Sequence, residues 1–353
     1  MVSAYLQRIG TAVPEHDVHE KFVRFAETML VDPRAKAIFR RLAVKSEIQH
    51  RFSCLSASAG PESENLDAFA VYGSGSFPAT GRRMQIFEQC APPLARKALD
   101  KLSLTGEERS QIHHVLVTCC TGLYAPGLDF EIIDYLGLPD STERTMIGFM
   151  GCYAAINALR LARHIVRSKP NEKVLIVSLE LCSLHFQETQ EIGEVLSFLL
   201  FADGCAAALV GSSPGGFEMD EFQSLQIEES RNLITWRVGD MGFDMFLSTH
   251  VPNEIARSMR QNADRITDGK RVDLWAVHPG GRSILDAVES GLRLDSGALE
   301  SSRKILRDFG NMSSATVMFV LDDLMQIATP GQNGCAMSFG PGLTAEIMHF
   351  HAA

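Results

Sequence analysis

The stretch GFMGCYAAINALRLARHIV, residues 148–166, places a cysteine directly after a glycine and just before an apolar segment with helical spacing. Alanine and leucine are strong helix formers, and Gly148 and Gly151 permit backbone geometry that a β-carbon would forbid. The pattern predicts a helix that begins beside Cys152. Free N–H groups at a helix N-terminus favour an anion and lower the pKa of a thiol. We therefore expect a reactive thiolate at Cys152, although a free cysteine is more often a buried apolar residue.

The composition is that of an ordinary globular protein and excludes several functional classes. The 353 residues, 45% hydrophobic and 22% charged, suffice for two domains or one large double domain. A net charge of −10 argues against nucleic acid as a partner, because phosphates need a basic surface. The pattern of a secretion signal and an apolar run of about 20 residues are both absent. Eight scattered cysteines without a CxxC pair predict a cytoplasmic protein with reduced thiols and no metal site.

Short apolar strands alternate with helical segments, which is typical of an α/β protein. The pattern predicts strands at 113–120, 173–181, 205–211, 271–278, 334–340 and 345–350, and helices at 281–292 and 313–328. A break rich in glycine and proline at 211–220 is the best candidate for a boundary between two halves, 1–212 and 213–353. Two segments run from glycine into a predicted apolar helix, GFMGCYAAINALRLA and DFGNMSSATVMFVLDDL. This echo predicts a duplicated α/β unit whose two helix N-termini converge on one pocket.

A base and a hydrogen-bond donor that would complement Cys152 occur in the second half. His278 ends a predicted strand and begins HPGGRS, and strand ends are where α/β proteins build their sites. Asn311 lies in GNMSSA, at a helix start preceded by glycine. Alone, each would more often be a cap or a surface residue. Together, a thiol, an imidazole and a carboxamide suit either a papain-like protease, whose Cys-Trp signature is missing, or thioester condensation.

Five segments resemble matching blocks of the type III polyketide synthases, the chalcone and stilbene synthase family. In the family's order and spacing, they are GFMGCYAAINALRLARHIVR, FADGCAAALVG, AVHPGGRSILDAVE, GNMSSATVMFVLDDL and SFGPGLTAE. The resemblance implies the thiolase fold, a duplicated αβαβα five-layer α/β architecture, and a homodimer. The stretch TCCTGLYAPG, where plant members have a Thr-Thr-Ser-Gly type of sequence, is more similar to bacterial members.

The same resemblance implies a catalytic triad of Cys152, His278 and Asn311. Cys152, as a thiolate paired with His278, would take the acyl group of an acyl-CoA starter. Malonyl-CoA would then lose carbon dioxide while His278 and Asn311 donate hydrogen bonds to the enolate oxygen. Repeated extension and cyclisation would give a phenolic or pyrone product. No metal or redox cofactor is implied, and the CoA thioesters are the substrates.

Substrate-binding positions also follow from the resemblance. Phe201 matches a gatekeeper between a CoA tunnel and the cavity. The second gatekeeper falls near Met245 or Phe246; Met245 is the positional match, where an aromatic ring is usual. Arg41 and Lys45 match basic residues that bind the CoA phosphates, although the bare sequence favours a solvated helix face. Further substrate contacts are expected at Cys120, Cys182, His185, Gly280, Gly281 and Ser313.

Two other functions are compatible with the same triad or the same fold. A β-ketoacyl synthase III-like condensing enzyme shares the three residue types, but it carries a His-Gln-Ala-Asn type of sequence where this chain has HPGG, and it lacks the GPG at 340–342. An obligate acyl-carrier protein partner would favour that enzyme. A binding module without catalysis is the third interpretation, and an inert Cys152 would support it.

Overall fold

The computed structural model describes residues 2–55, 72, 77–227 and 230–353, with only the backbone of 197 and 198. In these residues the strands are β1 Tyr5–Ala12, β2 His16–Asp17, β3 Phe52–Ser53, β4 Ile112–Cys119, β5 Glu143–Gly148, β6 Lys173–Leu181, β7 Asp203–Gly211, β8 Phe217–Gln226, β9 Ile234–Gly239, β10 Gly242–Leu247, β11 Leu274–Val277, β12 Asn333–Gly340 and β13 Thr344–Ala352. The helices are α1 His19–Met29, α2 Pro33–Ser46, α3 Thr80–Lys101, α4 Gly106–Gln111, α5 Leu128–Leu136, α6 Ala154–Ser168, α7 Ile192–Val195, α8 Ser197–Leu200, α9 Val251–Gln261, α10 Ala263–Thr267, α11 Arg282–Leu292, α12 Glu300–Phe309 and α13 Thr316–Ile327. Among these described helices, none has the length and apolar character needed to cross a membrane.

The predicted strands and helices are confirmed, with shifts at their ends. The strand at 173–181 has the predicted bounds, whereas the one predicted at 271–278 is reduced to Leu274–Val277. The break predicted at 211–220 is wrong in its second part, because β8 begins at Phe217 and pairs with β13. Phe217 and Met219 are buried while their neighbours are partly exposed, which is the alternation of a strand. The glycines and proline just before it conceal this pattern in the sequence.

Nine of the strands in the described residues form one sheet, in the order β11-β12-β13-β8-β1-β7-β6-β4-β5. The strands that precede residue 212 lie together at one side of this order, and those that follow it lie at the other side. Among the described strands, the two sets pair only where β1 meets β8, over Tyr5↔Glu218 and Leu6↔Phe217. Because only these two residue pairs join them, the two halves of the sheet can lie on opposite sides of a shared layer of helices.

Alternating side chains along the strands separate an outer core from an inner one in each half. In β6, Leu175 and Val177 pack against α3 and α5, whereas Ile176 packs in a cluster that contains α6 and α13. In β12, Met337 packs against α9 and α11, whereas Ala336 belongs to the same inner cluster. Since successive side chains of a strand point to opposite faces, each half of the sheet is covered by helices on both faces.

The result is five layers in the order α, β, α, β, α, with α6 and α13 in the middle. The first two turns of both central helices are largely buried, as expected for helices that are apolar on every side. Small residues such as Ala155, Ala158 and Ala162 let the neighbouring strands approach α6 closely. The duplicated αβαβα architecture is therefore confirmed.

The central layer gives a stability prediction. Leu159 in α6 is fully buried, whereas Ile327 at the end of α13 is 64% exposed. We expect Leu159→Ala to lower the free energy of unfolding by about 2–5 kcal/mol, because a cavity remains in the inner core. The matched control Ile327→Ala should change it by about 0.5 kcal/mol or less. Urea denaturation measures both variants, and similar losses in the two would contradict the central position of α6.

Candidate active site

The N-termini of the two central helices meet, as the sequence echo predicts. Cys152 lies in a 3-10 turn, Gly151–Tyr153, that leads into α6, and Ser313 begins the equivalent turn before α13. The Cys152 Sγ donates a hydrogen bond to Ser313 Oγ over 3.6 Å. Gly151 has a φ of +75°, and a β-carbon there would lie 2.2 Å from Pro341 Cδ. Glycine is therefore required at this position, and its tight turn directs Cys152 toward the second half.

Cys152 opens into a cavity of about 300 Å³ lined by residues of both halves. Most of the predicted site residues lie in its lining: Cys120, Cys152, Cys182, His185, Phe201, Met245, His278, Gly280, Asn311 and Ser313. The cavity is formed where the ends of β4, β6 and β11 meet the starts of α6 and α13. Residues that are far apart in the chain thus lie close together, because both halves pack against the same central helices, α6 and α13.

His278 follows β11 directly and presents an unsatisfied ring to the cavity. Its backbone N–H donates to the Met337 carbonyl over 2.7 Å, which continues the pairing of β11 with β12. The side chain is buried, yet neither ring nitrogen has a hydrogen-bond partner within the described part of the chain. A buried polar group without a partner costs about 1–3 kcal/mol, so this ring does not add to the stability of the fold, and its two nitrogens are available for hydrogen bonds in the cavity.

Asn311 is held in one orientation by its neighbours. Its Oδ1 accepts a hydrogen bond from the Ser313 backbone N–H at 2.8 Å, so the other end of the amide must be the NH₂ group. One hydrogen of Nδ2 is donated to the Gly280 carbonyl at 3.2 Å. The second hydrogen remains available to the cavity. The backbone of Asn311 also forms a bridge with Phe201, which places the predicted donor beside the predicted gatekeeper.

The predicted thiolate–imidazolium pair is wrong for the resting protein. Burial raises the pKa of Cys152 to about 12 and lowers the pKa of His278 to about 3. Both groups are therefore neutral near pH 7. The favourable field of the turn before α6 is real, but the loss of water in this cavity opposes either charge more strongly.

This protonation state predicts the pH dependence of alkylation. Because the thiolate is the nucleophile, the rate at which iodoacetamide modifies Cys152 should rise about tenfold per pH unit from pH 7 to 9. The variant His278→Gln should follow the same profile, since no standing ion pair is lost. Alkylation rates are read by intact-protein mass spectrometry against Cys152→Ala. A plateau already reached below pH 7, and absent in His278→Gln, would contradict the neutral pair.

The two predicted gatekeepers lie between the cavity and a second pocket. Phe201 and Met245 line both, and the second pocket, of about 570 Å³, also includes Gly281 and Lys45. Arg41 is exposed one helical turn earlier on α2, and among the described residues it does not contribute to either lining. Of the two residues predicted to bind the CoA phosphates, only Lys45 therefore borders the second pocket. The pattern did not indicate Arg282, which lines the second pocket.

Trp236 and His185 build one side of the cavity. The indole Nε1 donates to the Cys120 carbonyl at 2.8 Å, and the ring packs edge-on against His185 with centroids 5.7 Å apart. His185 donates to the Thr121 carbonyl, accepts from the Phe243 N–H, and stacks on the Phe243 ring at 4.1 Å. Burial lowers the pKa of His185 to about 3, so it is a neutral part of the lining. Nothing in the sequence singles out Trp236.

Glu180 is a second residue that the sequence analysis missed. It is fully buried near the end of β6 and accepts hydrogen bonds from the Ser314 hydroxyl at 2.5 Å, the Thr121 hydroxyl at 2.8 Å and the Cys120 N–H at 2.9 Å. Burial raises its pKa to about 7. These contacts connect β4, β6 and the turn before α13, and so fix the two halves beside Cys152. An acidic residue inside the apolar segment KVLIVSLEL was the available signal.

Comparison with known families agrees with the fold. The N-terminal domain of chalcone and stilbene synthases matches residues 2–214, and their C-terminal domain matches residues 220–353. The chain belongs to the chalcone and stilbene synthase family. It is a type III polyketide synthase, a condensing enzyme of the acyltransferase type with the thiolase fold. This membership supports the main interpretation over the β-ketoacyl synthase III-like alternative.

Two curated relatives and two solved structures show how far the similarity extends. Bisdemethoxycurcumin synthase of Oryza sativa subsp. japonica is 33% identical over 98% of this chain and 91% of its own length. The alpha-pyrone synthesis polyketide synthase-like Pks18 of Mycobacterium tuberculosis has the same identity and coverage. The type III domain of Steely1 from Dictyostelium has a TM-score of 0.89 at 25% identity and 99% coverage of both chains. PKS-I of the brown alga Ectocarpus siliculosus has a TM-score of 0.85 at 28% identity, covering 100% and 99%.

Proposed function

We propose that this polyketide synthase loads an acyl-CoA starter on Cys152, extends it with malonyl-CoA and cyclises the chain to a phenolic or pyrone product. The observation that carries the proposal is the unsatisfied His278 ring, which shares one cavity with the Cys152 thiol and the free Asn311 hydrogen. In the proposed division of the chain, 1–212 supplies the nucleophile and 213–353 supplies the two donors. CoA thioesters are the only substrates, and no metal or redox group takes part.

Loading begins from the neutral pair. As the Cys152 sulfur attacks the starter carbonyl, the imidazole of His278 accepts the thiol proton. The C–S bond to CoA then breaks, and the CoA thiolate takes that proton from the imidazolium and leaves as the free thiol. Because a permanent ion pair would be costly in this buried site, charge forms only while a substrate fills the cavity, and the substrate then carries part of that charge.

Extension uses the same His278 together with Asn311. When malonyl-CoA loses carbon dioxide, negative charge develops on its thioester oxygen, and an imidazole N–H and the free Nδ2–H donate to that oxygen. The carbanion attacks the acyl carbonyl on Cys152 and displaces the sulfur as a thiolate, so that a C–C bond replaces the C–S bond. The thiolate then takes up a proton from water, which restores the neutral pair. The extended chain remains on CoA and returns to Cys152 for the next round. A neutral amide suits the donor role, whereas a carboxylate would repel the enolate.

The second pocket is the proposed path for CoA. Its volume is larger than that of the cavity, it shares Phe201 and Met245 with the cavity, and Lys45 and Arg282 are the basic residues in its described lining. A pantetheine arm is narrow and flexible, and it would pass the two gatekeepers while the nucleotide phosphates stay near Lys45. Met245, with three rotatable bonds and a thioether, makes this gate more adaptable than an aromatic ring would.

We also propose that the enzyme is a cytoplasmic homodimer. Strand β5 ends the sheet order, and its residues up to Met146 are exposed. Exposed apolar side chains lie on it and nearby in the chain, at Leu123, Phe130, Met146 and Met150. An open strand edge beside apolar groups is a surface that a second copy would cover. All eight cysteines are free thiols, as is usual for proteins of a reducing compartment.

The role of Asn311 is tested by separating loading from decarboxylation. Asn311→Ala should still form the acyl adduct on Cys152 but decarboxylate malonyl-CoA about 10²–10³-fold more slowly, the usual loss for one such donor. Asn311→Asp should be at least as impaired, because its negative charge lies beside the developing enolate. Release of labelled carbon dioxide and single-turnover loading measure the two steps.

The matched control is Asn253→Ala, which removes an exposed amide from α9 and should keep the wild-type rate. Wild-type decarboxylation by both Asn311 variants would refute the proposed donor, and the residue would then serve only the start of α13.

The proposed CoA path is tested by removing the positive charges of Lys45 and Arg41. Lys45→Ala should raise the KM for malonyl-CoA by about fivefold at low salt and by less at high salt, because exposed charges are screened. Arg41→Ala, which removes a charge outside the pocket lining, should have the smaller effect. Steady-state kinetics at two ionic strengths give both values. A larger effect of Arg41→Ala would move the phosphates away from Lys45.

A further inference from the structure

Arg51, directly before β3, is a fully buried arginine that contacts the edge of the active-site cavity. Its Nη1 donates to the carbonyl of the predicted gatekeeper Phe201 at 3.0 Å, and its Nε donates to His19 Nδ1 at 2.9 Å. Burial lowers the pKa of Arg51 to about 9, so the guanidinium is still a cation at pH 7. Burying a charge is costly, and here the charge is directed at a carbonyl of a residue that lines the cavity.

The main chain and the side chain of Arg51 are both anchored at the start of α1. The Arg51 carbonyl accepts from the Val18 N–H at 2.8 Å, and the Arg51 N–H donates to Asp17 Oδ1 at 3.2 Å. Burial and the Arg51 charge lower the pKa of His19 to about 4. The His19 ring is therefore neutral near pH 7, and its Nδ1 accepts the Nε–H bond. These contacts orient the guanidinium within the N-terminal half.

Arg51 also contacts the segment that carries Asn311. Phe201 and Asn311 form a backbone bridge, in which the Asn311 N–H donates to the Leu200 carbonyl at 2.8 Å. Gly310 has a φ of +71°, and a β-carbon there would lie 2.7 Å from Arg51 Cγ. One side chain thus touches both segments of the bridge, at the Phe201 carbonyl and at the residue before Asn311.

We propose that Arg51 is a positioning residue for decarboxylation, which holds the Phe201–Asn311 bridge so that the free Nδ2 hydrogen of Asn311 stays directed into the cavity. Two side-chain hydrogen bonds fix this amide relative to the C-terminal half. Arg51 fixes it relative to the half that carries Cys152. The inference rests on the proposed role of Asn311 as a donor to the enolate.

The two chemical steps should respond differently to the loss of this contact. Loading uses Cys152 and His278, and no hydrogen bond of the described residues joins either side chain to Arg51. Decarboxylation needs Asn311 in addition. Since a displacement of about 1 Å can cost about 10²-fold in rate, removing the Arg51 contacts should slow decarboxylation far more than loading.

The experiment measures both steps in Arg51→Met, which keeps an apolar stem but removes the donors. Release of labelled carbon dioxide from malonyl-CoA should fall about 10–100-fold, whereas single-turnover acylation of Cys152 by hexanoyl-CoA should change less than about threefold. Arg51→Lys keeps the charge and a donor, so its decarboxylation should be at least about threefold faster than that of Arg51→Met. In Arg51→Met/Asn311→Ala, decarboxylation should stay within about threefold of that in Asn311→Ala, because both changes act through one amide.

Arg83→Met is the matched control. Arg83 is equally buried and also donates to backbone carbonyls, those of Leu184 at 2.6 Å and Phe186 at 2.9 Å. None of its hydrogen bonds within the described chain reaches the Phe201–Asn311 bridge. Its loss should therefore lower loading and decarboxylation by similar factors, and its effect should multiply with that of Asn311→Ala.

His19→Leu is a milder second variant, which removes only the acceptor of the Arg51 Nε–H bond. It should lower decarboxylation by a smaller factor and leave loading unchanged, and it supplies the test if Arg51→Met does not fold. The proposal is overturned if the Arg51 and His19 variants slow both steps in the same proportion, or if the double variant shows the product of the single losses. Wild-type decarboxylation in Asn311→Ala would instead refute the donor itself, so the two failures are distinguishable.

Discussion

Burial of α6 and α13 in one central layer is the constraint on which the rest of the molecule depends. Their apolar faces contact strands of both halves, so neither half completes its inner core without the other. Because the turns that precede these helices are packed end to end, Cys152 Sγ lies 3.6 Å from Ser313 Oγ. The hydrophobic effect that assembles the layers is thus also what positions the nucleophile.

Loss of water is the second consequence of this burial, and it decides the chemistry of the cavity. Charged forms of Cys152 and His278 are disfavoured, so the resting pair is a neutral thiol and a neutral imidazole. The same dry surroundings strengthen each hydrogen bond offered to a developing enolate. A site of this kind separates charge only with a substrate in place, which protects a bound acyl chain from premature reaction with water.

Polar groups buried around the cavity are nearly all satisfied, and this makes the exceptions informative. Glu180 collects three donors, Asn311 is fixed by Ser313 and Gly280, and His185 has a partner at each nitrogen. His278 alone among these groups has two unpartnered nitrogens. A network that rigidifies its members while leaving one ring free is suited to preorganised binding of a ligand oxygen.

Local pattern was sufficient to predict much of this protein. Alternating strands and helices gave the fold class, and glycine-led helix starts located Cys152, while the strand end at HPGG located His278. The sequence also shows Glu180 inside an apolar strand, but it does not indicate that this residue lies beside the active site. These signals are local because helix starts, strand ends and buried strands are determined by residues that are neighbours in the chain.

Other properties were decided by the tertiary structure. The strand at Phe217 was hidden by the turn before it, and Trp236 became part of the cavity only through its contacts with Cys120 and His185. The sequence suggested a thiolate at Cys152 from its helix start, yet the folded protein makes that thiol neutral. Protonation depends on how much water all the surrounding layers exclude, and that quantity exists only when residues distant in the chain are packed together.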